Sequence, residues 1–298
     1  MSLPTSGAAW SNIVSRAGGS SSPNLSDQDN QADVQTLAQA LVYARTGDAA
    51  MRTKVINALH AVQGTEAGSR ALALGRGLAA YVLAADLIGY RDAGFVSWVS
   101  RMRTFGTSGG PSSLTDCANT RPNNWGTWCR ASLLAADLYV GASTAHDYAL
   151  FKGWVGDRSA YNSFNYGDLS WQCDPSQPVG INPACSKSGH NIGGVLPDDQ
   201  RRAGSFTWPP PCENYVAEVL QSVTLEAVLL ERQGHAAWSL SSSAIKRAVV
   251  WRESNGCTFS SDDRGTAWVT NDAYGLSYGD KSTSDAGKGW LGQSWLFP

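Results

Sequence analysis

Two short stretches of this 298-residue chain carry side chains suited to chemistry on a negatively charged substrate. The first, Cys117 to Cys129, reads C-A-N-T-R-P-N-N-W-G-T-W-C and contains adjacent amides at Asn123 and Asn124. The second, Gly189 to Arg202, reads G-H-N-I-G-G-V-L-P-D-D-Q-R-R and ends in two arginines. Amide and guanidinium donors can stabilise negative charge on a carboxylate or in a transition state. Together the stretches predict a site for an acidic polysaccharide.

Aromatic residues support a sugar-binding cleft. The chain has 12 Trp and 10 Tyr, whose flat amphipathic rings suit stacking on sugars as well as core packing. Trp125 and Trp128 are spaced i, i+3 and share a helix face, so we expect one of them to pack inward. With Asn123, Arg201 and Trp208, these two tryptophans form the set of residues expected to contact substrate.

Composition restricts the class of protein. The formal net charge is −2, which argues against nucleic-acid or membrane-surface binding, and no stretch approaches about 20 uninterrupted apolar residues. We expect a single domain over residues 1–298, because no linker divides the chain, and we expect a monomer without a cofactor. We also expect no metal, because the four histidines are scattered and no C-x-x-C occurs. Asp262, Asp263 and Asp272 could bind Ca²⁺, but solvated surface acids are the favoured interpretation.

Cysteine spacing predicts a disulfide framework. All six cysteines lie between residues 117 and 257, and two pairs are each twelve positions apart, which favours Cys117–Cys129 and Cys173–Cys185 and leaves Cys212–Cys257. Disulfides imply an oxidising compartment, so the protein is expected to be secreted or periplasmic. The M-S-L-P-T-S start has no signal-peptide pattern, which predicts either that a signal peptide has been removed or that export takes another route.

The elements that must position these residues are helices. Apolar residues recur at helical spacing over 31–45, 51–62, 70–88, 95–102, 131–140, 145–155, 213–233 and 241–252. Short Gly-containing turns between them predict helical hairpins, as in an α/α bundle, solenoid or toroid. We expect residues 1–30 and 256–298 to be irregular, and the long Gly/Pro-rich segment 156–211 to be a functional, disulfide-tied loop.

Three pieces resemble the polysaccharide lyase family 5 alginate lyases: N-N-W-G-T-W (123–128), G-G-V-L-P-D-D-Q-R-R (193–202) and N-Y-V-A-E-V-L-Q…L-E-R-Q-G (214–234). They occur in the family's order, over roughly residues 30–255. The resemblance implies an all-α, incomplete (α/α) toroid with a cleft across one face. It implies cleavage of β-1,4-linked uronic acid polymers by β-elimination.

Position by position, the resemblance assigns three catalytic roles. Asn124 matches the family's carboxylate-neutralising Asn, Arg202 its active-site Arg, and Tyr215 its catalytic Tyr. Trp125 stands where the family has His, which is a departure. Each assignment has a structural alternative: Asn123 and Asn124 could cap a helix, Arg202 could pair with Asp198 or Asp199, and Tyr215 could be a core residue.

The chemistry of elimination requires three functions. The carboxylate charge must be damped, a base must remove the C5 proton, and an acid must protonate the departing O4. A tyrosine, with an ordinary pKa near 10, is a poor base unless nearby cations favour the phenolate. In mannuronate and glucuronate the C5 proton and O4 lie on the same side, so one Tyr can serve both steps. Without His at position 125 we favour these polymers, with His190 as a candidate second base or an ordinary loop residue.

Two other function classes stay open. A glycoside hydrolase on a similar helical barrel would need two flanking carboxyl groups, for which Asp198, Asp199 and Glu213 are available. A non-catalytic carbohydrate-binding module could retain the fold without the base. A conjugated unsaturated product distinguishes a lyase from both.

Overall fold

The computed structural model describes residues 3–259, 263–279 and 288–298 and is mostly helical with almost no strand, which confirms the all-α prediction. The helices in chain order are α1 (Ala8–Ala17), α2 (Ala32–Thr46), α3 (Ala49–Val62), α4 (Ala71–Leu87), α5 (Ala93–Met102), α6 (Leu114–Thr120), α7 (Asn124–Val140), α8 (Ala145–Trp154), α9 (Pro197–Gln200), α10 (Asn214–Arg232), α11 (Leu240–Ser254), α12 (Arg264–Tyr274) and α13 (Gln293–Leu296). One two-stranded antiparallel hairpin, β1 (Ser186–Lys187) and β2 (His190–Asn191), interrupts the long segment before α9.

Local sequence explains several helix boundaries. Gly47 ends α2 in the left-handed conformation, and Asp48 caps α3 by accepting a hydrogen bond from Ala50 N at 2.8 Å. Arg70, as predicted, lies at the start of α4, whose apolar residues are buried on nearly every side. A helix that is apolar all round must pack between neighbours, and α4 does so between α2 and α7.

Helix α7 lies at the centre of the packing, against α4, α6 and α10. A Cβ on Gly75 of α4 would lie 2.9 Å from the backbone nitrogen of Cys129, so glycine is needed for this close approach. Ser132 of α7 donates to Gly75 O at 2.7 Å and accepts from Ala79 N at 2.9 Å. These contacts fix α4 against α7.

The predictions of an irregular lead-in and an irregular tail were wrong in part. Residues 8–17 form α1, which buries Trp10, Ile13 and Ala17, and the tail contains α12 and α13. The rings of Trp10 and Trp295 lie 5.1 Å apart, so the two ends of the chain pack together. A buried ion pair between Lys288 and Asp33 at 2.8 Å adds a second link between the tail and α2.

Two of the three predicted disulfides are present. Cys173–Cys185 closes the segment before the hairpin, and Cys212–Cys257 joins the start of α10 to the end of α11. The predicted Cys117–Cys129 bond was wrong, because both residues are free, buried cysteines on α6 and α7. Cys129 Sγ instead donates to Ala71 O at 3.5 Å.

The disulfide-tied segment has a small core of its own. Trp171, Ile192, Val195 and Trp251 form a buried cluster beside Cys173 and Cys185, separate from the main core. This cluster packs against the hairpin and joins it to α11.

No helix in the described parts of the chain is long and apolar enough to cross a membrane.

Candidate functional site

The amino-terminal end of α7 is capped by a residue from another element. Asn123 occupies the N-cap position, but its side chain makes no capping hydrogen bond. Asp199 of α9 does this instead, because its Oδ1 accepts from Asn124 N at 3.0 Å. Burial raises the pKa of Asp199 well above its usual range, and the nearby acids Asp198 and Glu218 add to this rise. Burial therefore favours the protonated form of the carboxyl group that caps the N-N-W-G-T-W motif.

The side chain of Asn124 is held by a charged network. Its Nδ2 donates to Glu218 Oε2 at 2.7 Å, and Glu218 Oε1 lies 3.3 Å from the Arg76 guanidinium. Arg76 also contacts the exposed Asp29 at 3.2 Å. The amide oxygens of Asn123 and Asn124 are buried and have no hydrogen-bond partner within the described residues. Neither the Asn123 nor the Asn124 side chain therefore caps the helix.

Tyr215 lies in the first turn of α10, one helical turn before Glu218. Residues three apart on a helix share a face, so Tyr215 and the Asn124 network are neighbours. Tyr215 is 37% exposed, which excludes the core alternative, and the exposed Arg202 lies over its ring at 4.2 Å. Arg202 thus contacts Tyr215, and Asn124 bonds to Glu218 one helical turn further along α10.

The other charged residues near this site have structural contacts. Arg201 pairs with Asp198 through two hydrogen bonds, at 2.8 and 3.3 Å, so Arg201 rather than Arg202 forms the expected ion pair. Glu213 is the N-cap of α10 and accepts from Tyr215 N at 3.1 Å. Arg201 is still half-buried at the edge of the site, and its role in substrate contact stays a prediction.

Trp125 and Trp128 differ in exposure. Trp125 is half-buried, and the Arg70 guanidinium lies 4.7 Å from its ring centroid. Trp128 is fully buried beside Gly289, so it belongs to the interior rather than to an accessible sugar-binding surface. The expectation that one of the pair packs inward agrees with this arrangement.

His190 and Trp208 form a separate pair. Their rings stack at 4.4 Å with an angle of 8° between the planes, and both line a cleft with Arg247 and Trp251. Within the described residues, no hydrogen bond, ion pair or ring contact joins His190 to Asn124, Arg202 or Tyr215. The contacts of this structure therefore do not bring His190 to the proposed catalytic residues.

Sequence reasoning missed Glu218 and Arg76. A signal existed for each: Arg76 is a lone charge inside the apolar run L-A-L-G-R-G-L, and Glu218 interrupts the apolar pattern of α10 one turn after Tyr215. A charged residue in such a run must find a partner or reach solvent. Here the two residues supply each other's partner.

No group of three or more potential ligands among the described residues could hold a metal ion. Of the acids considered for Ca²⁺, Asp263 and Asp272 lie in the described region and Asp262 lies outside it.

No protein-family model, curated protein or solved structure matches this chain.

Proposed function

We propose that this protein is a polysaccharide lyase that cleaves β-1,4-linked uronic acid polymers, polymannuronate or glucuronan, by β-elimination. The observation that carries the proposal is the convergence of Tyr215, Arg202 and Asn124, which come from separate segments. An exposed phenol under a guanidinium, with an amide oriented by Glu218 one helical turn away, is a suitable arrangement for removing a proton next to a carboxylate.

In this mechanism Arg202 and the free N–H of the Asn124 amide bind the substrate carboxylate and stabilise the negative charge that forms at C5. Tyr215 removes the C5 proton and returns it to O4 as the glycosidic bond breaks. Arg202 also places a positive charge over the Tyr215 ring, which favours the phenolate form that accepts the proton. The Arg76 contact offsets the negative charge of Glu218, which would otherwise repel an acidic substrate.

The fold and location form part of the same proposal. Helical hairpins whose first and last helices pack together fit an incomplete (α/α) toroid with the site in a cleft. Two disulfides fit a secreted or periplasmic protein. The substrate preference follows from Trp125, because without a second base a single Tyr serves only uronates with the C5 proton and O4 on the same side.

One observation favours glycoside hydrolysis as a second candidate. Asp199 and Glu218 both bond to Asn124, and their environments differ: burial raises the pKa of Asp199, whereas Glu218 forms an ion pair with Arg76. Two carboxyl groups with different protonation states can divide acid and base roles. Asp199 is only 1% exposed, and so is Asn124, so burial does not distinguish the two candidates.

A panel of polymers separates these functions. We expect polymannuronate or glucuronan to yield a product with the ultraviolet absorbance of a conjugated unsaturated uronate, and polyguluronate to yield little. Reducing ends without that absorbance would refute elimination and support hydrolysis. Binding without either product would support a non-catalytic module.

The Tyr215→Phe variant tests the assigned base. We expect turnover to be abolished while oligouronate binding, measured by calorimetry, largely survives, because only the phenol oxygen is removed. Tyr148→Phe is the matched control, since Tyr148 is a half-buried tyrosine stacked on His235 and should retain full activity. An active Tyr215→Phe enzyme would refute this assignment.

A further inference from the structure

We infer that the cleft beside Trp208 is a second saccharide-binding site, for an acidic oligosaccharide, with a lining separate from the Tyr215 site. Trp208 is 36% exposed, whereas the other eleven tryptophans, all within the described residues, are buried or half-buried. Because this exposed indole also lines a cleft, it offers a flat surface on which a sugar ring can stack.

The cleft has a suitable size and lining. Its volume is about 480 Å³, within the ordinary range for small-molecule sites, and none of Asn124, Arg202 or Tyr215 lines it. His190 covers one face of the Trp208 indole, and Asn191 and Asn255 add polar groups of the type that bind sugar hydroxyls.

Charge selects an acidic sugar. Arg247 lines the cleft and no carboxylate residue does. The Arg247 guanidinium is held in place because it donates to the carbonyl oxygens of Ser241 and Ser242. A uronate carboxylate therefore meets a positive field here, while a neutral sugar gains only the stacking contact.

The cleft is held rigidly before any ligand binds. Trp251 Nε1 donates to Asn191 O at 3.0 Å, which joins α11 to the hairpin. The Cys173–Cys185 bond and the small cluster around Trp171 support the hairpin from below, and Cys212–Cys257 holds the segment that follows Trp208. A rigid platform loses little conformational entropy on binding.

The test is calorimetric binding of mannuronate or glucuronate oligomers to the full-length protein carrying Tyr215→Phe, so that no cleavage interferes. Because the Tyr215 site still binds in this background, we expect two binding events, and Trp208→Ala should weaken one of them about tenfold, the effect of losing one stacking contact. Trp208→Phe should retain most of the affinity. Binding should also fall with added salt and be much weaker for cello-oligosaccharides, which lack the carboxylate.

Tyr148→Ala is the matched control, because it removes a different aromatic ring that stacks on a histidine, His235, at 3.9 Å. Unchanged affinity in Trp208→Ala, an equal loss in Tyr148→Ala, or equal binding of cello-oligosaccharides would overturn the inference. The readout is binding rather than turnover. A protein that makes no unsaturated product but shows Trp208-dependent binding would refute the lyase proposal and leave this inference standing.

Discussion

At Asn124 three distant parts of the chain meet through a single residue. Its backbone N–H bonds to Asp199 on α9, and its side-chain amide bonds to Glu218 on α10, which in turn contacts Arg76 on α4. The two acids have different environments, because Asp199 is fully buried while the Glu218 side chain is 20% exposed and paired. Glu218 therefore fixes the direction of the Asn124 amide.

Glu218 is thus predicted to be a positioning residue for Asn124. Glu218→Ala should lower kcat by roughly 10²-fold, the effect of losing one oriented donor, and should change KM less. Glu218→Gln keeps an acceptor for the Asn124 amide and should recover much of the rate. The measurement is initial rates of unsaturated uronate formation over a range of substrate concentrations.

Circular dichroism melting of both Glu218 variants provides the control for folding. If Glu218→Ala were as active as the parent, or if Glu218→Gln were equally impaired while folded, the positioning role would be wrong.

At the level of elements, the amphipathic pattern predicted most helices within a few residues, because burial of an apolar face dominates helix formation. Helix α1 was missed although Trp10, Ile13 and Ala17 have helical spacing, because Ser and Gly residues surround it. Helix α12 was missed because its Gly, Thr and Asn residues have low helix propensity and tertiary packing overrides this.

The site was predictable only in part, because some of its contacts depend on tertiary packing. Asn124, Arg202 and Tyr215 were identified through a resemblance to known motifs. The Glu218–Arg76 contact joins positions 142 residues apart, the difference between 218 and 76, and depends on how α4, α7 and α10 pack. Local sequence holds no information about such a pairing. The exposure of Trp208 likewise follows from tertiary structure.

Helices α7 and α8 are joined by a pair of buried carboxyl groups. Burial, reinforced by the neighbouring Asp137, raises the pKa of Asp147 to about 8, and burial also raises the pKa of Asp137, although Arg103 lies 2.5 Å from it. Ionising both buried carboxyl groups is unfavourable, so Asp147 keeps its proton at neutral pH in the folded protein. The pair is therefore stable as one neutral and one charged group.

This pair predicts a pH-dependent stability. A folded-state pKa raised from 3.8 to about 8 means that the contribution of Asp147 is complete below about pH 4 and is lost as the pH rises through 8. We expect Asp147→Asn to reduce the decline in unfolding free energy between pH 5 and pH 8, by up to about 1.4 kcal/mol per pH unit. Guanidinium unfolding at several pH values measures this change.

Asp174→Asn is the control for that series. The pKa of Asp174 is lowered by hydrogen bonds from Ser176, so this exposed residue is ionised in both states over the same pH range. An unchanged slope in Asp147→Asn, or an equal change in Asp174→Asn, would contradict the assignment.

At the scale of the whole molecule, covalent and ionic links join parts of the chain that the helices alone leave apart. Cys212–Cys257 spans 45 residues and Cys173–Cys185 spans 12, for which chain entropy predicts about 4 and about 3 kcal/mol of stabilisation. The Lys288–Asp33 pair brings the tail to α2. The disulfides lie in the half of the molecule that holds the Trp208 cleft, and α6 and α7 are held without a covalent cross-link.

The state of the remaining cysteines is the sharpest test of this organisation. Cys117 and Cys129 are free and fully buried, and burial, with Cys117 adjacent, raises the pKa of the Cys129 thiol well above its usual range. A buried, protonated thiol is inert. We expect iodoacetamide to label no cysteine in the native protein and two, Cys117 and Cys129, after unfolding in guanidinium without reductant.

Peptide mapping of the same samples should show the two cross-linked pairs intact, and a reduced sample, in which all six cysteines react, is the control for labelling. A peptide linking Cys117 to Cys129, or no free thiol after unfolding, would show that the spacing argument for a third disulfide was right and that α6 is tied covalently to α7. Two labelled thiols would instead mean that the packing of α4 against α7, through Gly75 and Ser132, holds the Asn124 end of the site without a covalent link.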